Sequence, residues 1–121
     1  MALQSDMQAV PDQPAFPHLM ARLLAASPDE VVRNGQQALL LTEKLSAVMQ
    51  GSDIMATRAM ALAEVGRFQD AVARQKSAVE LAQREGRDTA FHQKLLGRYN
   101  KNKPCREPWT KDDPLFTRKN Y

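Results

Sequence analysis

The sequence AMALAEVGRFQDAVARQKSAVELA, residues 59–82, carries the clearest helix pattern in the chain. Its first part predicts the end of one helix, Gly66 predicts a tight turn, and a second helix is expected to begin near Phe68. Small and apolar residues recur in this second helix at spacings that place them on one face. They are Phe68, Ala71, Val72, Ala78, Val79 and Ala82. Because alanines at contact positions let helices approach closely, the segment predicts a tightly packed helical hairpin.

A similar pattern lies one repeat earlier in the chain. Ala38 precedes Ala71 by about 33 residues, and Leu45 precedes Ala78 by the same interval. A period of this length, with one helix pair per period, is typical of stacked helical hairpins. Each hairpin leaves an apolar face that only its neighbour can cover. We therefore predict an all-α protein built as a short stack of antiparallel helical hairpins, with about two and a half repeats.

Prolines and capping residues divide the chain into three parts. We predict an extended lead-in at residues 1–16, a helical repeat domain at 17–103 and an extended C-terminal tail at 104–121. Pro17 suits the first turn of a helix, and Gly51 is expected to close the second long helix. The predicted helices cover residues 17–26, 34–50, 53–65, 68–85 and 88–102, with a single helical turn near 28–33.

The composition excludes several classes of protein. The chain has 121 residues, so it is one domain at most, and with only 6% aromatic residues its core is expected to consist of Leu, Ala, Val and Met. No apolar run is long enough to cross a bilayer, so membrane insertion is not expected. Residues 1–16 lack the basic and apolar regions of a secretory signal. If Met1 is the native start, the protein is expected to be cytoplasmic.

No combination of residues in the sequence predicts catalysis. Cys105 is the only cysteine, which excludes an internal disulfide, and His18 and His92 stand in no metal-ligand spacing. Phosphate-binding glycine loops and zinc-protease motifs do not occur. We therefore expect a protein that is not an enzyme and that binds no cofactor or metal ion.

The segment around Gly66 resembles a tetratricopeptide repeat. In that family a glycine lies at the turn, an aromatic residue follows two positions later, and alanines recur in the second helix; Gly66, Phe68, Ala71 and Ala78 match these positions. The preceding hairpin is similar, more loosely, to a degenerate repeat common in bacterial chains. The resemblance covers about residues 19–107 and implies a helical solenoid that acts as a scaffold, adaptor or accessory subunit of a larger complex.

The resemblance also implies where a partner would bind, because the first helix of each hairpin lines the concave surface in this family. The implied groove residues are Arg22, Leu23, Asp53, Ala56, Met60 and Ala63. Met60 among alanines predicts a shallow apolar groove suited to a helix or an extended peptide; alternatively, Met60 packs against the next hairpin. The residues with which the family clamps a terminal carboxylate are absent, so binding of heat-shock chaperone tails is not expected.

Arg58 departs from the family pattern, which has an aliphatic residue at this position. A guanidinium buried there without a partner would be costly. Three interpretations remain open: the side chain extends into solvent, it pairs with an acid such as Glu43 or Asp113, or it contacts a bound partner. We count Arg58 among the candidate partner-binding residues.

The C-terminal tail combines large aromatic residues with interspersed basic ones, which is typical of an anchor segment. Its candidate contact residues are Arg106, Trp109, Phe116 and Tyr121. We expect the tail either to wrap around its own helices or to dock on a partner. The partner is expected to be another protein, which presents a peptide, a helix or a complex surface, or a second copy of the chain.

Two other functions remain open. The formal net charge is +3, and residues 84–121 hold ten basic residues against five acidic ones. This excess would suit nucleic acid, a less favoured alternative in which Trp109 stacks on a base. The basic contacts would then come from Arg98, Lys101, Lys103, Arg106 and Lys111. The second alternative is that the chain is the C-terminal repeat fragment of a longer exported protein.

Overall fold

The computed structural model describes residues 15–109, which form five α-helices and contain no strand. In chain order, the helices are α1 (Ala15–Ala26), α2 (Gly35–Ser46), α3 (Ser52–Glu64), α4 (Phe68–Arg84) and α5 (Ala90–Asn100). This confirms the all-α prediction for the described part of the chain.

The predicted hairpin corresponds to α3 and α4. Gly66 adopts a left-handed conformation with a φ of 86°, which a residue without a side chain accommodates at no steric cost. The next amide, that of Arg67, donates to the carbonyl of Leu62 at 2.9 Å and closes the C-terminus of α3. The chain therefore reverses within a few residues, and α4 begins at Phe68 as the sequence predicts.

The prediction for α2 is wrong at its C-terminal end. The helix stops at Ser46, four residues earlier than expected, because the amide of Val48 already bonds to Leu45 in a tighter turn. Gly51, with a φ of 125°, does not close α2; it precedes the first residue of α3. At α5, the Asp88 carboxylate accepts from the amide of Ala90, so the cap lies near the predicted position.

Helix α3 lies at the centre of the fold. It packs against α1, α2 and α4, and α5 packs against α4. Nine of its 13 residues are buried, and four of these are alanines, so its neighbours approach its backbone closely. The start of α2 is equally close to the end of α3. A Cβ atom at Gly35 would lie 2.7 Å from Cγ1 of Val65, so this position excludes a side chain.

All five helices contribute residues to the main core, α1 through Ala25 and Ala26 at its C-terminal end. One residue beyond α5 also belongs to it. Alanines of α1, α2, α3 and α4 meet Met60 and Leu62 of α3, Leu95 and Tyr99 of α5, and Cys105. A smaller cluster of Ala21, Leu45 and Ile54 lies at the opposite end of α1 and α3. The burial of Cys105 means that the chain after α5 turns back onto the helices.

Candidate protein-binding face

Residues 104–109, here called the return segment, lie across the helices without helical structure of their own. At one end, Nε of Arg98 in α5 donates to the carbonyl of Pro104 at 2.9 Å. At the other end, Nη1 of Arg22 in α1 donates to the carbonyl of Pro108 at 3.4 Å. Between them the Cys105 side chain is fully buried in the main core. The return segment therefore extends from α5 to α1 along one face of the protein, the covered face.

Two ion pairs also hold the return segment. Nη1 of Arg106 lies 2.8 Å from Oε1 of Glu64 at the end of α3, and Nζ of Lys94 lies 2.6 Å from Oε1 of Glu107. The Glu64 carboxylate is mostly buried, and its second oxygen lies 3.3 Å from Nε of Arg33. Glu64 thus joins the return segment to the loop between α1 and α2. The Lys94–Glu107 pair is half exposed, so its contribution to stability is small.

A buried polar cluster lies beneath the covered face, centred on the hydroxyl of Thr57 in α3. This hydroxyl donates to the carbonyl of Asp53 at 2.9 Å. Its oxygen lies 2.6 Å from Nε2 of His18 and accepts from Nε of Arg22 at 3.0 Å. Which of the two groups donates in the short His18–Thr57 bond depends on the tautomer of His18. The arrangement joins His18 and Arg22 to one hydroxyl and orients Arg22 toward the return segment.

The carboxylate of Asp53 extends this cluster to the end of α4. Oδ1 lies 4.0 Å from Nη2 of Arg22, and Oδ2 lies 3.1 Å from Nη1 of Arg87. The hydroxyl of Ser52 donates to Oε1 of Glu85 at 2.6 Å. These contacts connect the first turn of α3 with the residues after α4. They place Asp53 in a structural network rather than on an open groove.

Two ionisable groups on this face, the Cys105 thiol and the Tyr99 hydroxyl, are fully buried. Burial raises the pKa of the Cys105 thiol to about 11, and burial also raises the pKa of the Tyr99 hydroxyl well above its ordinary value. Both groups are therefore protonated at neutral pH. The thiol donates to the carbonyl of Glu107 at 3.1 Å and helps to fold the return segment. Within residues 15–109, no group of three His, Cys, Asp or Glu residues is placed to hold a metal ion.

The groove predicted from α1 and α3 is not open to solvent. Arg22, Ala56, Met60 and Ala63 are all buried, and Met60 shares the main core with Cys105 of the return segment. Leu23 and Asp53 are half-buried. The expectation that Met60 lines an exposed apolar groove is therefore wrong for this conformation, because neighbouring helices and the return segment fill the space. A partner-binding role for these residues stays a prediction.

The other predicted contact residues lie in three different places. Arg58 lines a separate cleft between α2, α3 and α4. Arg106 and Trp109 belong to the return segment, where both are half-buried. Phe116 and Tyr121 lie outside the described residues, as does Asp113. The structure thus brings Arg22 and Arg106 to the same face and separates both from Arg58.

Sequence reasoning missed three residues that organise the covered face: His18, Thr57 and Glu64. The bonds of His18 and Arg22 to Thr57 and of Arg106 to Glu64 join residues 35 to 42 positions apart, so no spacing rule relates them. A threonine inside an alanine-rich helix was a usable signal, since a buried hydroxyl requires a partner. Glu64 at the end of α3 looks like an ordinary surface residue in the sequence.

Comparison with known proteins gives no significant match: no family model, no curated protein and no solved structure is similar to this chain. Across residues 15–109, none of the helices has the length and the apolar content that crossing a membrane requires.

Proposed function

We propose that the chain is a non-catalytic protein–protein interaction module, a tetratricopeptide-like helical scaffold that serves as an adaptor or accessory subunit. Support for the repeat arrangement comes from the order of helix contacts. Each of α1, α2, α3 and α4 packs against the next helix in the chain, and α1 also packs against α3. This is the contact order expected when two hairpins stack through their first helices and α5 covers the end.

The observation that carries the proposal is the return segment itself. A non-helical piece of chain lies on the face of α1, α3 and α5, and helix side chains hold it by bonds to its main-chain carbonyls. Main-chain hydrogen bonds supply affinity and side-chain contacts supply specificity when an extended peptide is recognised at a sheet edge, and the return segment is held by the same two kinds of contact. The covered face therefore has the properties of a peptide-binding surface, and it is occupied by the chain's own residues.

A partner is expected to bind across the return segment rather than replace it. Removing the segment would break the Arg106–Glu64 ion pair and expose Cys105, Leu95 and Tyr99, which are fully buried. Exposing a buried apolar side chain costs about 1.5–3 kcal/mol. Binding on top of the segment avoids this cost. It places Arg106 and Trp109 at the centre of the proposed interface, a composition typical of interaction hot spots.

Site-specific photo-crosslinking in the native cell tests this proposal. A photoreactive phenylalanine analogue at position 109 should give a discrete crosslinked product with one partner, identifiable by mass spectrometry. The same analogue at Lys76, an exposed position on α4, should not give this product. If position 109 gives no product, or if both positions give the same products, the covered face is not the interface.

A further inference from the structure

A second face of the protein carries a cleft that the return segment does not reach. It has a volume of about 260 Å³ and lies between α2, α3 and α4. At about 100° per residue, Arg58 and Leu62 share one side of α3, whereas Thr57 and Glu64 lie on another. The cleft is smaller than the ~300–1,000 Å³ typical of sites for drug-sized molecules. A cleft of this volume can hold one or two side chains of a partner.

In the described part of the chain, Arg58 is the residue in the cleft with an unsatisfied hydrogen-bond donor. Its Nε is buried and has no hydrogen-bond partner within residues 15–109. In the same range, no carboxylate lies within ion-pair distance of its guanidinium, although Glu43 lines the same cleft. An unsatisfied polar group in a buried position is costly, and the cost is greater for a charged one. A carboxylate that entered the cleft would remove this cost.

The charges around Arg58 also favour an acidic ligand. Arg67 and Arg74 line the cleft together with Glu43 and Asp70, which gives three basic groups against two acidic ones. Asp70 is already bound by Arg67 through contacts of 3.0 and 2.7 Å, so it is not available to Arg58. Among the described residues that line the cleft, Arg58 and Arg74 are therefore opposed only by Glu43.

The uncharged walls of the cleft add a second requirement. Leu39 of α2, Leu62 of α3 and Ala73 of α4 lie beside the arginines. Leu62 is almost fully buried, whereas Leu39 is half-buried and Ala73 is exposed. A free anion would leave the surface of Leu39 and Ala73 exposed to water, whereas a peptide with an aliphatic residue next to an acidic one would cover it and also reach the arginines. The lining therefore fits a peptide segment better than a simple anion.

We propose that this cleft binds an acidic peptide of a partner protein, with a carboxylate on the Arg58 guanidinium and an aliphatic side chain on Leu39 and Ala73. Arg58 is the main contact, Arg74 adds a second positive charge, and Glu43 opposes binding. The site is separate from the covered face, so the two faces can bind independently.

Fluorescence anisotropy with a labelled decapeptide of alternating glutamate and leucine tests the proposal on the full chain. The Arg58→Leu variant should bind this probe at least about tenfold more weakly, because a charge-assisted bond is lost. Leucine restores the aliphatic residue expected at this position, so the variant should keep its helicity and resistance to urea. Glu43→Gln should tighten binding about threefold, since it removes the competing acid.

Three controls make the result decisive. Lys101→Leu removes one positive charge at an exposed position outside the cleft and should leave the affinity within about twofold. A probe with glutamine in place of each glutamate should bind at least about tenfold more weakly to the unmodified chain. A twenty-residue oligothymidine should not compete with the acidic probe.

Four results would overturn the assignment: no binding of the acidic probe, equal binding by Arg58→Leu, equal binding of the glutamine probe, or Arg58-dependent displacement of the probe by oligothymidine. The last of these would identify a nucleic-acid phosphate as the occupant. None of them bears on the crosslink expected at position 109, so the two proposals can fail separately.

Discussion

Two arginines near α3 meet the cost of burial in different ways. Arg22 is only 2% exposed, yet Thr57, Pro108 and Asp53 all lie within bonding or ion-pair distance of its guanidinium. Arg58 is half-buried, and its Nε has no partner within residues 15–109. The first guanidinium is satisfied by parts of the chain that lie far apart in sequence. We infer from this difference that Arg22 stabilises the fold, whereas Arg58 is available to bind a ligand.

Two neighbouring residues of α3, Thr57 and Arg58, differ in the same way: one has internal hydrogen-bond partners and the other lines an open cleft. Thr57 faces the polar cluster beneath the return segment, and Arg58, about 100° further around the helix, faces the open cleft. One side of α3 is therefore closed by internal bonds, and the other retains unpaired charge. Substitutions on the two sides should have opposite consequences for stability and for binding.

The largest effect is expected from Arg22→Leu. Removing this guanidinium leaves the carbonyl of Pro108 without its donor and takes away one of the two positive charges beside Asp53. Breaking a buried charged network typically costs about 3–5 kcal/mol. Urea denaturation followed by circular dichroism should report a loss of this size. Arg58→Leu, the matched substitution on the other side of α3, should change the free energy of unfolding by less than about 1 kcal/mol. If both variants lost the same free energy of unfolding, Arg22 would not be more important for stability than Arg58.

Thr57→Val tests whether the hydroxyl is the centre of the closed side. Valine keeps the shape but leaves His18 and Arg22 without their common hydrogen-bond partner, which should destabilise the fold by about 2–3 kcal/mol. Thr42→Val is the control, because the buried Thr42 hydroxyl makes a single bond to a carbonyl of its own helix. Its cost should be about 1 kcal/mol. Thermal unfolding of both variants would measure the difference, and equal costs would argue against a special role for Thr57.

Burial of the Cys105 thiol beneath the covered face should make the free energy of unfolding depend on pH. Its folded pKa of about 11 lies above the ordinary value of 9.0, so the folded state keeps a proton that the unfolded state loses. This contribution to stability is therefore present below pH 9 and is lost as the pH rises toward 11. The loss should reach about 2 kcal/mol. Urea denaturation at pH 8 and pH 10.5 should show a smaller decrease for Cys105→Ala than for the unmodified chain.

Glu64→Gln should loosen the return segment with a smaller effect on global stability. It removes the charge that Arg106 and Arg33 share, at an expected cost of about 1 kcal/mol. Because Cys105 is the only cysteine, its rate of reaction with a thiol reagent reports opening of the segment directly. That rate should rise in Glu64→Gln and remain nearly unchanged in Glu107→Gln, whose ion pair is half exposed. Identical rates in both variants would mean that Glu64 does not hold the segment.

Local pattern was enough to predict the helices, because helix formation depends on residues three to four positions apart. Gly66 and Phe68 mark the turn and the start of α4 at the expected positions. The end of α2 was missed, since Gly51 looks like a helix-closing residue although the chain leaves the helix four residues earlier. A glycine can take a left-handed conformation before a helix as readily as after one, and the sequence does not distinguish the two.

The sequence supplied candidate partner-binding residues but not their arrangement in space. Arg22, Met60, Arg58 and Arg106 were all selected from the sequence, and Arg58 was selected because its charge conflicts with the expected packing. In the structure Arg58 lines a cleft between α2, α3 and α4, and a partner-binding role for it stays a prediction. For Met60 the alternative of internal packing is the one that the structure supports. The identity of a partner, the nucleic-acid alternative and the longer-protein alternative stay predictions.

The sequence by itself determined that helices form in the part of the chain before the return segment, where the central hairpin turns, and that small residues bring those helices close together. Only the tertiary structure decided which surface is closed and which is open. Residues 104–109 carry no periodic pattern, and their place across α1, α3 and α5 depends on bonds to Arg22, Glu64 and Arg98. The first two lie 86 and 42 positions from their partners in the chain. Such bonds depend on which residues the folded chain brings together, and no local spacing rule contains that information.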